Sequence, residues 1–298
     1  MRMNDEIHGQ PAASPPAVQG SAPAGRAAQA APMGGLCADL LAEYHALAGL
    51  CQTLSPQQWH TATDFHGWTP WDEVAHLLFF DEAALLALED GAAFEADKAA
   101  LTERLGRGEA ISAIARERHG ALDGAALLAR WRQRHGALVA ALAAMDARAR
   151  LPWYGPAMSA RSFATARLME TWAHGQDIRD LVGGEHPAGP GLRHIAHLGV
   201  STFGWSFANR GLAVPHPVPF VDLTAPGGER WTWGEPSSEH WVRGTAHDFV
   251  LLVTQRRHRA DTRLQWAGDP AEQWTRLAQC FAGEPADGPS PGERVSRR

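Results

Sequence analysis

A row of ionisable side chains occupies one stretch of the chain, residues 159–181. Good helix formers fill this stretch and it contains no proline, which predicts a single helix. Residues three or four positions apart lie on one face of a helix. Arg167, Glu170, His174 and Asp177 therefore form one polar stripe between apolar residues. Burying such a stripe in a helical bundle is unfavourable unless a partner satisfies it, and a metal ion is a suitable partner.

Glu170 and His174 are four residues apart and can both reach one metal ion. A catalytic zinc ion takes three protein ligands, each a nitrogen, sulfur or carboxylate oxygen, and keeps a fourth position for water or substrate. His76 lies in an apolar run and is the candidate third ligand from a facing helix, because helical bundles build metal sites in this way. A hydrogen-bonded Glu–His pair without a metal is the alternative explanation of the same spacing.

Two further side chains are candidates for catalysis. Asp177 either orients a ligand histidine, binds water at the metal, or makes a capping or ion-pair contact with Arg179. His194 and His197 are three residues apart on a predicted helix, and His197 either acts as a general base near neutral pH or makes a polar contact between domains.

An anionic substrate would require arginine, because a guanidinium binds a carboxylate through two parallel hydrogen bonds. The candidate substrate-binding residues are Arg167, Arg243, Arg256 and Arg257. Salt bridges at the protein surface are the alternative role for each of these four residues.

Long amphipathic helices are expected to position these side chains. Apolar residues recur at helical spacing, and Thr69 followed by Pro70 supplies an N-cap and a first helical residue. We predict helices over residues 36–54, 70–87, 124–147, 159–181 and 192–209, with shorter helices between residues 89 and 124. The N-terminal domain, residues 33–211, is therefore predicted to be a helical bundle.

Beyond Pro215 the pattern changes to short alternating runs, which are typical of β-strands. We predict antiparallel strands at residues 218–223, 229–233 and 240–243, a short strand near 264–266, and helices at 245–255 and 270–281. The fold class is thus predicted to be α+β, a helical bundle followed by a small domain over residues 212–283.

Composition narrows the function classes. With 298 residues, 45% of them hydrophobic, the chain can form two domains, whereas residues 1–32 and 284–298 are expected to be disordered tails. A net charge of −6 gives no case for nucleic acid, and no apolar stretch suits a membrane span or a secretory signal, so we expect a cytoplasmic protein. Cys37, Cys51 and Cys280 lack metal-ligand spacing and are expected to be buried thiols.

Two segments, residues 67–77 (GWTPWDEVAHL) and 170–177 (ETWAHGQD), resemble the signature stretches of the DinB-like, mycothiol-dependent maleylpyruvate isomerase family. More narrowly, they resemble its metal-binding branch of uncharacterised proteins. Residues 242–257 are also similar, so the resemblance covers about residues 36–283. It implies a DinB-like four-helix bundle followed by a small α/β domain like the sterol-carrier folds.

The resemblance further implies a divalent metal ion, usually zinc, held by His76, Glu170 and His174. In these isomerases a small thiol such as mycothiol adds to the double bond of a cis-enedioic acid, allows rotation about the resulting single bond, and leaves. We therefore expect an isomerase or thiol transferase with zinc-activated thiol chemistry, a small substrate such as a dicarboxylate, and a monomer or homodimer.

Two other functions fit the same residues. A zinc hydrolase would use metal-bound water and no thiol. A non-catalytic metal-binding or ligand-carrier protein would close the coordination shell with a fourth protein ligand, for example Asp177 or His66.

Overall fold

The computed structural model describes residues 33–187 and 189–296, so the N-terminal tail expected at residues 1–32 lies outside the described residues. The N-terminal part is helical, with one short pair of strands. Its helices are α1 (Met33–Gln52), α2 (Pro70–Glu89), α3 (Gly91–Gly106), α4 (Ile111–His119), α5 (Gly124–Ala143), α6 (Ala160–Val182), α7 (Leu192–Ser201) and α8 (Phe203–Ala208). Strands β1 (Arg150–Leu151) and β2 (Met158–Ser159) pair antiparallel immediately before α6. The predicted long helices are confirmed, except that residues 192–209 form two helices divided at Thr202.

Helices α1, α2, α5 and α6 form the predicted four-helix bundle. Helix α1 contacts α5 and α6, α2 contacts the same two helices, and α3 and α4 lie against α2. Fully buried side chains from all four helices fill the centre, namely Tyr44, Leu78, Trp131 and Leu168. Burial of these large side chains is the main stabilising contribution to the bundle.

Local capping determines where the two central helices begin. The Thr69 side chain accepts from the backbone N–H of Asp72, and the Asp72 side chain accepts from that of Thr69, which forms a capping box ahead of α2. Pro70 occupies the first turn as predicted. Ser159 caps α6, and Gly183 ends it in the left-handed conformation with φ 77°. These boundaries fix which faces of α2 and α6 meet.

The C-terminal part is a small sheet with helices against it. Its elements are β3 (Phe220–Thr224), β4 (Arg230–Trp233), β5 (Trp241–Thr245), α9 (Ala246–Val253), β6 (Gln265–Ala267) and α10 (Asp269–Leu277). The strand order is β4-β3-β5-β6. Together with the bundle, this confirms the predicted α+β class.

The prediction that all strands run antiparallel is wrong for β3 and β5, which are parallel. Strand β4 ends beside the start of β3. The chain then crosses this end of the sheet and enters β5, which pairs with β3 on the side opposite β4. The Phe220 N–H donates to the His240 carbonyl at 2.9 Å along this crossing, and Gly234 makes the turn with φ 82°. Alternation in a sequence reports which side a residue faces and carries no information on strand direction.

The sheet domain packs on the bundle through α9 and α7. A Cβ placed on Gly199 of α7 would lie 2.8 Å from Val253 of α9, so the close approach of these helices requires glycine. Within the described residues, no helix is both long and apolar enough to cross a membrane.

Residues 283–296 are here called the C-terminal segment; the sequence predicts a disordered tail over residues 284–298, and hydrogen bonds join the described part of it to the rest of the chain. The Gly292 N–H donates to Asp261 at 2.8 Å, and the Gln255 side chain donates to the Ala286 carbonyl at 2.5 Å. Arg294 is buried and donates to the Gln255 carbonyl at 2.8 Å. Hydrogen bonds between polar groups thus fix a segment whose composition alone gives no packing signal.

Candidate metal centre

The three predicted ligands converge where α2 faces α6. His76 comes from α2, and Glu170 and His174 come from successive turns of α6; each offers a ligand atom, and these atoms all lie within 4.8 Å of one another. The two imidazole rings have centres 4.6 Å apart, and Nε2 of His174 lies 3.4 Å from Oε2 of Glu170. Two nitrogens and one carboxylate oxygen in this arrangement are a ligand set suited to zinc.

A fourth residue, Glu73, orients His174. Oε2 of Glu73 lies 2.6 Å from Nδ1 of His174, and Oε1 accepts from the Thr63 hydroxyl at 3.3 Å. When Nδ1 of a neutral imidazole carries the proton, Nε2 keeps its lone pair, so Glu73 selects the tautomer that can bind a metal. The sequence analysis missed Glu73; its signal was a carboxylate three residues before His76 within the same apolar stretch.

Burial keeps both histidines neutral. It lowers the pKa of His174 well below its usual value, and the charges of Arg256 and Arg167 lower it further. Burial also lowers the pKa of His76, reinforced by His174 and opposed by Glu170. Neutral imidazole is the form that binds metal.

The same environment raises the pKa of Glu73. Burial is the main cause, the carboxylate of Asp177 adds to it, and Arg256 opposes it. The Thr63 hydroxyl, which donates to Oε1, lowers the pKa of Glu73 in turn and helps to stabilise the carboxylate that accepts from His174.

Aromatic rings enclose the inner side of the cluster. Trp68 stacks parallel to His174 with ring centres 5.9 Å apart, and Phe80 meets the edge of His76 at 4.8 Å. Phe65 meets the edge of His174 at 5.6 Å. The Glu170 side chain is 29% exposed, whereas that of His174 is 4% exposed. The cluster therefore opens to solvent on the Glu170 side.

Asp177 is held by an arginine of the C-terminal domain. Nε of Arg256 lies 3.0 and 3.2 Å from the two carboxylate oxygens of Asp177, and NH2 lies 2.8 Å from one of them. The predicted alternative of pairing with Arg179 is therefore wrong, and the orienting role proposed for Asp177 is taken by Glu73. Asp177 does lie near the centre, within 4.8 Å of ligand atoms of Glu73 and His174.

Arg167 is part of the bundle core, where its guanidinium is paired with Asp81. Its guanidinium contacts Asp81 at 2.9 Å and donates to the Leu77 carbonyl at 3.3 Å. Asp81 also accepts from the Tyr44 hydroxyl at 2.8 Å and from Trp131 Nε1 at 2.9 Å. Both Arg167 and Asp81 are buried, so this network holds the Arg167 guanidinium inside the bundle.

His197 and Arg243 lie in contacts other than the cluster. Nδ1 of His197 accepts from Trp233 Nε1 at 3.1 Å, which is the interdomain contact named as the alternative to a general base. Arg243, on β5, stacks over Trp241 at 4.3 Å and lies 3.7 Å from Asp222. Neither residue belongs to the converging ligand groups found among the described residues.

Comparison with known proteins identifies the family. The family model of the mycothiol maleylpyruvate isomerase N-terminal domain matches residues 40–179. Two uncharacterised Mycobacterium tuberculosis proteins, Rv0036c and MT0041, are each 41% identical over 265 residues, covering 86% of this chain and 98% of the relative.

Solved structures extend the comparison to the fold. The crystal structure of the mycothiol-dependent maleylpyruvate isomerase has a TM-score of 0.50 at 14% identity, covering 79% of this chain and 92% of that chain. A histidine-to-alanine variant of that enzyme gives the same TM-score, with 78% and 93% coverage. This chain, with its bundle of paired helices and its small mixed sheet, belongs to the mycothiol maleylpyruvate isomerase family.

Proposed function

We propose that this protein is a zinc-dependent enzyme that uses a small thiol. It either isomerises a small unsaturated dicarboxylate or transfers the thiol onto it. The observation that carries the proposal is the convergence of two neutral imidazoles and one carboxylate at a cluster that opens toward solvent. Three ligands and one open side are typical of a catalytic zinc site, whereas structural sites are closed by a fourth protein ligand.

The residues present fit a divalent ion. Nδ1 of His76 is buried and has no hydrogen-bond partner among the described residues, although an unpaired buried nitrogen is unfavourable. His174 already directs Nδ1 to Glu73 and has Nε2 near Glu170. An ion held by His76, Glu170 and His174 would satisfy these atoms, and when bound it would lower the pKa of a thiol or water at the open position.

The chain does not supply the thiol itself. Cys37, Cys51 and Cys280 are free and buried. Burial raises the pKa of Cys51 to about 12 and raises that of Cys280 further, so neither is a thiolate near neutral pH. The nucleophile of thiol chemistry must therefore come from a small molecule, and mycothiol is the thiol named for the family. Free thiols are typical of a reducing compartment, which supports a cytoplasmic protein.

The reaction we propose balances without an oxidant. The thiol sulfur forms a bond to one alkene carbon and the thiol proton passes to the other, the new single bond rotates, and loss of the same thiol restores the double bond in the trans form. Glu73 maintains the tautomer of His174, and the rings of Trp68 and Phe65 exclude water from the inner side of the site. The Arg256 guanidinium lies over the Phe65 ring beside the cluster, and its positive charge is paired with Asp177.

The test is turnover of maleylpyruvate by the zinc-loaded protein in the presence of mycothiol or glutathione. Turnover is measured as the loss of the cis substrate. We expect turnover with a thiol, none without it, and loss of activity in His76→Ala and His174→Ala. His60→Ala, at an exposed histidine, is the matched control and should keep full activity. Absence of turnover with both thiols would refute the isomerase proposal, and a hydrolytic activity that is unaffected by thiol would support a zinc hydrolase instead.

A further inference from the structure

Arg294 is a buried arginine that the C-terminal segment brings to the edge of the metal centre. Its guanidinium lies 4.9 Å from the centre of the Phe65 ring. The Arg256 guanidinium lies over the same ring at 4.3 Å, and the ring meets His174 at 5.6 Å. Arg294 and Arg256 therefore share one aromatic ring that also touches a predicted metal ligand.

The guanidinium of Arg294 is only partly hydrogen-bonded. The side chain is only 7% exposed, and its Nε has no hydrogen-bond partner among the described residues. Its NH1 donates to an uncharged group, the Gln255 carbonyl. The nearby carboxylate of Asp177 is already engaged by Arg256. A buried cation in this state is unfavourable unless an anion pairs with it.

The charges around Arg294 come from both arginine and carboxylate side chains. Burial lowers the pKa of Arg294 and the neighbouring charge of Arg256 lowers it further, whereas the carboxylates of Asp177, Glu293 and Glu73 oppose both. Of these two guanidiniums, only that of Arg256 is hydrogen-bonded to a carboxylate among the described residues.

The position of Arg294 is fixed by its own segment. The Gly292 N–H donates to Asp261 at 2.8 Å, two residues before Arg294. Farther back, the Ala286 carbonyl accepts from the Gln255 side chain at 2.5 Å and also from Arg210. Hydrogen bonds therefore hold the C-terminal segment at Ala286 and at Gly292. Because the segment is held, the Arg294 guanidinium is preorganised, which reduces the entropic cost of binding a ligand.

We infer that Arg294 and Arg256 form an anion-binding subsite beside the metal centre, and that this subsite takes a carboxylate group. A carboxylate can accept from the unpartnered Nε of Arg294 and compensate its charge, and the planar guanidinium suits that geometry. The inference rests on the proposed function for its ligand, since the carboxylate belongs either to a dicarboxylate substrate or to a carboxylate-bearing thiol.

Calorimetric titration of maleate into the zinc-loaded full-length protein tests the subsite directly. Arg294→Gln should weaken maleate binding by about tenfold or more, because one charged hydrogen-bond donor is lost. Arg294→Lys should be intermediate, since it restores the charge without the planar fork. Arg263→Gln, at an arginine whose side chain is 86% exposed, is the matched control and should bind maleate like the wild type.

A second titration with glutathione separates the two sources of the carboxylate. Weaker glutathione binding in Arg294→Gln with unchanged maleate binding assigns the subsite to the thiol. Equal affinity of the wild type and Arg294→Gln for both probes overturns the inference, and so does absence of binding of both probes to the wild type.

The experiment is independent of turnover. Zinc content and thermal unfolding are measured on each variant, so a loss of metal or of fold is recognised separately from a loss of the subsite. A chain that ends at Ser290 lacks Arg294 and should show the same weakened binding as Arg294→Gln. If the isomerase proposal fails while maleate binding still depends on Arg294, the subsite stands and only the assigned reaction is lost.

Discussion

Oε2 of Glu73 lies 2.6 Å from Nδ1 of His174, and this contact joins α2 to α6 at the centre of the bundle. Both residues are buried. A carboxylate bonded to the non-ligating nitrogen of a histidine fixes the ring orientation and makes the other nitrogen a better ligand. Glu73 therefore acts on the metal site through His174, without being one of its three predicted ligands.

Replacing Glu73 by glutamine should weaken zinc binding by about 10- to 100-fold, because the amide neither fixes the tautomer of His174 nor increases its basicity. Competition with a chromophoric chelator measures the affinity. Glu82→Gln is a matched control on the same helix, since Glu82 pairs with Arg130, is not one of the predicted ligands and should not affect zinc. Unchanged affinity in Glu73→Gln would show that the 2.6 Å contact has no part in metal binding.

Removing any one of the predicted ligands should abolish stoichiometric zinc. His76→Ala, Glu170→Ala and His174→Ala are each expected to fall from about one zinc ion per chain to near none by elemental analysis, because three ligands are the minimum of a catalytic site. Chelation of the wild-type protein should lower its melting temperature, since a bound metal stabilises the folded state by mass action.

His66→Asn tests whether a fourth protein ligand closes the shell. Asparagine tolerates the φ of 50° that His66 adopts, so the backbone should be preserved. We expect full zinc content in this variant. Loss of zinc would mean that His66 is a ligand and would favour a structural metal over a catalytic one.

The proximity of Glu170 and His174 was predictable because its information is local. Glu170 and His174 are related by one helical turn, and the Thr69 cap fixes the start of the helix that carries His76. His76 lies on another helix, and its position beside this pair was expected from its apolar setting together with the family resemblance.

The partners of the polar residues were not predictable because they are distant in sequence. Arg256 is 79 residues from Asp177, and Glu73 is 101 residues from His174. Nothing in the spacing of either residue indicates its partner. Arg167 was predicted to bind substrate because an arginine on a polar stripe can do so, and only the structure shows that Asp81 engages it. The burial of Arg294 has the same origin, since it depends on hydrogen bonds of the C-terminal segment.

The buried pair Asp177–Arg256 links the two domains, and breaking one side of it should destabilise the protein. Asp177→Asn leaves the Arg256 charge buried without a counter-charge, and we expect a loss of about 3–5 kcal/mol in the free energy of unfolding. The double variant Asp177→Asn with Arg256→Met should recover part of that loss. Urea unfolding measures all three proteins.

The surface pair Arg107–Glu103 provides the comparison for that experiment. Both side chains are exposed, so Glu103→Gln should change the free energy of unfolding by less than about 1 kcal/mol. If Asp177→Asn behaves like Glu103→Gln, the interdomain pair contributes nothing measurable to stability.

Arg167 should affect stability rather than substrate affinity. Arg167→Met leaves the Asp81 carboxylate buried without its counter-charge, and we expect a loss of about 3–5 kcal/mol in the free energy of unfolding. Tyr44→Phe removes one hydrogen bond to Asp81 and should cost about 1 kcal/mol. Both values come from chemical unfolding. A stable Arg167→Met protein with a raised KM would instead return Arg167 to the substrate site.

His135 should make the stability of the bundle depend on pH. Its ring stacks on Tyr44 at 4.5 Å, and both ring nitrogens are buried without a hydrogen-bond partner among the described residues. Burial, together with the smaller effects of the nearby His45 and Arg132, lowers the pKa of His135 from 6.5 to about 4. The folded state therefore keeps the ring neutral while the unfolded chain takes up a proton.

The sign of this effect follows from the lowered pKa. The contribution of His135 to stability is fully present above pH 6.5 and is lost as the pH falls toward 4, by at most about 1.4 kcal/mol per pH unit. His135→Phe keeps a ring against Tyr44 and removes the titration, so the free energy of unfolding should fall less between pH 7 and pH 5 than in the wild type. Urea unfolding at both pH values measures the difference, with His60→Gln at an exposed histidine as the control. An equal fall in wild type and His135→Phe would show that the buried ring does not titrate with folding.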